Sequence, residues 1–247
     1  MLPELILREE KEKNYPLLIA LGFTSVVIAF LASRFLFPAQ ADLLVVVFAA
    51  IPIVYPLTSF FFDDEKNYRP HIPEVAIYLS LFLGQVTAFL ILAYFNPGFF
   101  SAQVEAAGIS GNAISPGFFL GLLINNMGVF ISIAVVSFIT GSAGAFILSW
   151  NASVLGVFFA DILHRLPDNI RAYILGSQNT APPLAYLPHA SLEMAGFVIA
   201  GITGTLMSAA VYREHFDKKH WKNFILLLVM GIAMIFGGAL LESTGTA

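Results

Sequence analysis

The stretch from Gly117 to Ala160 reads GFFLGLLINNMGVFISIAVVSFITGSAGAFILSWNASVLGVFFA and carries no charged residue. As one helix its 44 residues would run about 66 Å, roughly twice the ~30 Å hydrocarbon thickness of a bilayer. Thr140-Gly141-Ser142 interrupts it with turn-forming residues. The stretch therefore predicts two membrane spans, Gly117–Ile139 and Ala143–Ala160, joined by a tight turn.

The same reasoning, carried outward between charges and Pro/Gly punctuation, yields five more spans: Leu17–Phe37, Leu43–Phe62, Glu74–Phe95, Leu187–Tyr212 and Asn223–Leu241. Composition agrees. Hydrophobic residues make up 58% of the 247 positions and charged residues 11%, against about 25% charged in a soluble domain. Too little polar surface remains to coat a water-soluble globule. The expected fold is an all-α polytopic bundle of about seven transmembrane helices, and residues 1–247 form a single integral membrane domain. The first apolar run is too long for a signal-peptide core and lacks an obvious cleavage site, so it reads as a retained helix. A net charge of −4 gives no reason to invoke nucleic acid. The absence of cysteine excludes disulfides, thiol nucleophiles and thiolate metal sites.

Orientation follows from the basic residues. With the N-terminus cytoplasmic, the inner segments hold Arg8, Lys11, Lys13, Lys66, Arg69, Arg213, Lys218, Lys219 and Lys222, nine of the 12 Lys and Arg. Arg34, Arg165 and Arg171 fall outside. That asymmetry predicts a cytoplasmic N-terminus and an external C-terminus. Reporter fusions at the two termini should therefore score on opposite sides; both on one side would overturn the topology. His71, His215 and His220 then lie in cytoplasmic loops as solvated residues. The mixed-charge run Arg8–Lys13 reads as a solvated helix end. The loop Asn96–Pro116 is expected to rest on the outer membrane surface through Phe99 and Phe100. With Pro167, Pro182 and Pro183, the segment 163–186 reads as an outer loop or a re-entrant hairpin.

Ionisable side chains are costly in hydrocarbon, so each asks for a partner or a purpose. Glu193 is the one acid well inside a predicted span. It follows His189 by four residues in Pro188-His189-Ala190-Ser191-Leu192-Glu193, and that spacing places both on one helix face. Pro188 suits the first helical position, which sets His189 near the outer mouth of the sixth span. Asp161 and His164 share a face at the outer end of the fifth span. Asn125 and Asn126 sit at a matching depth in the fourth. Three functions compete for this cluster of Asn125, Asn126, Asp161, His164, His189 and Glu193. The first is a hydrogen-bonded group that fixes helix register, with interhelical bonds worth about 0.6 kcal/mol each on average. The second is a Zn²⁺ site of His189, Glu193, Asp161 and His164 with an open water position for hydrolysis; the spacing is not His-Glu-x-x-His. The third is a proton or ion relay through Glu193 tuned by His189.

Asn151 opens the sequon pattern Asn151-Ala152-Ser153. Mid-span it is inaccessible to glycosylation, and an interhelical hydrogen bond is expected of it. Small residues recur every four positions at Gly196, Ala200, Gly204 and Ser208, and again at Gly141, Ala145 and Ser149. Such faces admit a neighbouring helix at close range. Internal packing is favoured over contact with a second copy, since the helices of one chain must first pack on each other.

Asn125-Asn126, Gly141, Gly144, Asn151, Gly156, the Leu187-Pro188-His189-Ala190-x-x-Glu193 element, Gly201 and Gly204 together resemble the stage II sporulation protein M family. The resemblance covers about residues 118–210. Two positions depart from it: the family reads Asn-Gly where this chain has Asn151-Ala152, and Pro-His-Gly where it has Ala190 after His189. The resemblance implies a multispan membrane protein that anchors and positions partners, as the namesake does with peptidoglycan-remodelling hydrolases during engulfment. It carries no enzymatic activity and, since members occur outside sporulating organisms, no commitment to sporulation.

The reading of the whole is a multi-pass protein of the cell membrane acting as a non-enzymatic scaffold. Its partners are the lipid bilayer, other membrane proteins or cell-envelope enzymes, and a second copy as a homo-oligomer. A scaffold requires no cofactor. Two competing functions fit the same polar cluster. One is an intramembrane metal-dependent hydrolase, which would add Zn²⁺, and the second is a small-solute or ion transporter.

Overall fold

The computed structural model describes residues 14–67, 72–106, 119–141, 144–165, 187–212, 214 and 218–243. Side chains at 55–66 and 218–220 and at a few helix-end positions, Leu187 and Arg165 among them, also lie outside the description. Expectations for Arg8–Lys13, His71, residues 107–116, Ser142, residues 166–186, His215 and the His220 side chain fall outside the described residues.

Among the described residues the chain is almost entirely helical, with no strand. Eight helices run α1 (Tyr15–Leu36), α2 (Ala41–Asn67), α3 (Ile72–Phe95), α4 (Ser101–Ala106), α5 (Phe119–Thr140), α6 (Ala145–Arg165), α7 (Leu187–Tyr212) and α8 (Lys218–Ser243). All but α4 match the seven expected spans. Six of them are long and apolar enough to cross a membrane, and α2 adds a seventh long helix whose described apolar portion ends at Val54. Local chemistry explains the boundaries. Asn14 caps α1, its side chain accepting from the Leu17 amide at 3.2 Å, with Pro16 in the first turn. At the other extreme α5 stops where Gly141 takes a φ of 78°, a left-handed conformation that glycine reaches without a Cβ penalty.

The helices form two groups sharing one wall. α1, α2, α3 and α6 enclose a core of Val26, Phe30, Val46, Phe89, Ala152 and Val157 among others. α5 and α8 pack on α7, and α7 carries the second core inward to α3 and α6 through Ile202, Leu206, Tyr78 and Leu148. The membrane window of α7 is 72% buried inside the protein, against 22–50% for the others. α7 is therefore the central helix. Its small residues serve two neighbours, not one. A Cβ on Gly196 would stand 2.8 Å from Ile235 of α8, and one on Gly204 would overlap the Ala134 carbonyl of α5. The stripe is consumed by internal packing.

Two expectations change. Phe99 is half-buried and Phe100 does not rest on a surface: a 3₁₀ turn (Pro97–Phe99) and α4 turn the chain back, and Phe100 is fully buried. It stacks on Phe30 at 6.3 Å and meets Phe89 edge-on at 6.0 Å. Filling a gap between α1 and α3 removes more apolar area from water than lying at the interface would. α4 is held by Asp42, whose carboxylate accepts from the Ser101 hydroxyl at 2.8 Å and the Ala102 amide at 3.3 Å. Among the described residues Asn151 does not bond across helices either: its amide donates to the Ile147 carbonyl at 2.8 Å within α6, a local bond open to short polar side chains.

Candidate functional site

The polar residues expected at one depth sit on α5, α6 and α7; those of α5 and α7 meet each other, and α8 joins them, at the end of the bundle that also holds α4. α7 presents His189 and Glu193 one turn apart because Pro188 starts its regular helix there. α5 presents Asn126 about 10 Å below its start. Asn126 is buried, and its amide donates to the Glu193 carboxylate at 2.5 Å. Asn125, exposed on the same helix, donates to the Asn126 side-chain oxygen at 3.2 Å. Asn125, Asn126 and Glu193 thus form one chain of hydrogen bonds that ties α5 to α7. The donor matters here, because a carboxylate among apolar helices with no polar partner would cost several kcal/mol.

The third wall is not legible from the sequence reading. α8 reaches the cluster through Gly238, where a Cβ would stand 2.6 Å from Glu193 Cγ and 3.1 Å from the His189 carbonyl. Four residues on, one helical turn past Gly238, comes Glu242. A signal exists: Gly238 and Glu242 are spaced i and i+4, so they share a face of α8. It is easily missed because Glu242 follows the last residue of the seventh predicted span.

The structure does not gather the proposed metal ligands. His189 is buried beside Glu193 on α7. His164 lies on the far side of the central helix, at the end of α6, with its ring stacked on Tyr94 of α3 at 4.4 Å and 13°. Asp161 is three residues before it on α6. Among the described residues no three His, Asp or Glu side chains gather where one ion could be held. What the site offers is the Glu193 carboxylate with one amide donor already committed, and a second acid, Glu242, one turn beyond the Gly238 that underlies it. That arrangement can lock three helices together. Among the described residues it does not supply the three protein ligands of a hydrolytic Zn²⁺ centre.

Six apolar helices of spanning length, with a buried central one, make this a multi-pass membrane protein. No curated protein and no solved structure matches the chain. A family model described as Stage II sporulation protein M does match, over residues 75–247. The match takes in the hydrogen-bonded site on α5, α7 and α8 and more than half of the sequence. By that match the chain belongs to the Stage II sporulation protein M family.

Proposed function

We propose that this protein is a non-enzymatic scaffold of the cell membrane that positions partner proteins, cell-envelope enzymes among them. The observation that carries the reading is the Glu193–Asn126 bond seated over Gly238. It spends the most conspicuous polar residues of the membrane interior on joining three helices. Such a joint holds the α4 end of the bundle in one shape, which is what a platform for partners needs. A photo-crosslinker placed at the exposed Glu105 of α4 is expected to trap a peptidoglycan-remodelling enzyme in cells. The purified protein alone should release no peptidoglycan fragments. Hydrolysis by the purified protein, or no crosslinked envelope enzyme, would overturn the scaffold.

One observation favours a second reading. Gly238 of α8 packs under Glu193 and Glu242 follows it by one turn, so two acids stand on adjacent helices, which suits a proton or cation relay better than a single acid does. Glu193→Gln separates the two. The amide keeps the volume and an acceptor for Asn126, so a structural joint should lose well under about 1 kcal/mol. Glu193→Leu strands the Asn126 amide and should cost about 1–3 kcal/mol. Thermal unfolding of the three proteins in detergent reads this order. A relay instead predicts that the wild type dissipates a pH gradient in proteoliposomes and that Glu193→Gln, though equally stable, does not. Elemental analysis of the same wild-type sample tests the hydrolase, which requires bound metal.

A further inference from the structure

A second polar feature lies at the α4 end of the bundle, between the end of α1, the turn into α2 and the turn after α3. There a cleft of about 420 Å³ is lined by Arg34, Pro38, Asn96, Pro97, Gly98 and Phe99. Arg34 is the one cation among the described residues that line it. Its guanidinium is held in place from two directions. Its carbon stands 5.9 Å over the Phe30 ring, itself braced by Phe99 at 4.6 Å, and one nitrogen donates to the Asn96 side-chain oxygen at 3.4 Å. That is the single hydrogen bond Arg34 makes among the described residues, so most of its five donors are uncommitted.

The surroundings say what those donors meet. Phe35 and Phe95 are 86% and 75% exposed, and Leu36 and Phe37 are exposed beside them. In a membrane protein such side chains face acyl chains or the interface, where aromatic residues concentrate. A cleft bordered by them opens at headgroup depth. A planar, pre-placed guanidinium matches two oxygens of a phosphate, and phosphate is the abundant anion at that depth. We infer that the Arg34 cleft binds the phosphate of a membrane phospholipid, with Arg34 holding the oxygens and Asn96 holding Arg34. The lipid's chains would lie along the exposed faces of α1 and α3.

Two variants test this without depending on one another. Arg34→Ala removes the donors. Gly98→Trp fills the cleft and leaves Arg34 intact, and a Cβ at Gly98 meets no atom within 4 Å, so the backbone tolerates it. The probe is phosphatidylglycerol, compared with a phosphate-free galactosyl diacylglycerol of the same chains, and retained lipid is read by native mass spectrometry. The wild type should retain phosphatidylglycerol and not the galactolipid. Each variant should weaken retention by about tenfold or more, the scale of one charge-assisted hydrogen bond. Inorganic phosphate should raise the melting temperature less than phosphatidylglycerol does. Equal retention of the two lipids, or retention unchanged in Gly98→Trp, overturns the site. Stabilisation by inorganic phosphate with none by the lipid identifies a free anion as the ligand and overturns the lipid. Should Arg34→Ala fail to fold, Gly98→Trp decides alone.

Discussion

Gly22→Ala should separate α1 from α3 and lower stability by about 1–3 kcal/mol or more, although it adds a single methyl. A Cβ at Gly22 would overlap the Leu81 carbonyl oxygen, and one at Gly84 would overlap the Ile19 carbonyl oxygen. Each helix thus lays a glycine against the other's backbone. The obstacle is main chain on both sides, so no rotamer change relieves it and the helices must move apart. Separation then loosens the contacts of Leu18, Ile77 and Leu81, all buried there. Gly22→Leu should be worse than Gly22→Ala, and Gly98→Ala, whose Cβ meets open space, should be neutral. Thermal and detergent-induced unfolding of the four proteins checks the order. Equal stability of Gly22→Ala and the wild type would show that α1 and α3 do not cross this closely.

The second large effect belongs to Gly238, and its diagnostic is a rescue. Gly238→Ala drives a Cβ to 2.6 Å from Glu193 Cγ and 3.2 Å from its carboxylate. The side chain must leave its place, and with it goes the bond from Asn126. The expected loss is about 1–3 kcal/mol, from overpacking and from an amide left unpaired. Glu193→Ala alone also costs stability, by stranding the same amide. The double variant should cost less than the sum of the two, because truncating Glu193 removes its Cγ and carboxylate, two of the three atoms nearest the new Cβ, and leaves the His189 carbonyl at 3.1 Å. A coupling energy of about 0.5 kcal/mol or more in that direction is expected for residues in contact. Strict additivity would mean that Gly238 does not lie under Glu193.

Much of the fold follows from a one-dimensional property, and the residues show why. Gly117–Ala160 had to be two helices because bilayer thickness limits any one of them, and α5 and α6 end and begin at the predicted turn. His189 and Glu193 had to share a face because helical period is a local matter. Placing Asn126 at the depth of Glu193 needed only rise per residue and alternating direction. These inferences hold because a membrane restricts a helix to crossing, and crossing turns sequence position into depth.

Sequence alone determined that the chain is a multi-pass helical bundle, where six of its long apolar helices run, and that Asn126 and Glu193 fall at one depth. What tertiary structure decided is which residues at one depth meet. Asn126 meets Glu193 and His164 meets Tyr94, because α7 runs through the centre with α5 and α8 on one side and α3 and α6 on the other. Rotation of each helix about its axis selects the partner, and that rotation is set by where backbones approach most closely. At Gly22, Gly84, Gly204 and Gly238 the deciding feature is a missing Cβ. A missing atom acquires meaning only once the neighbouring helix is in place.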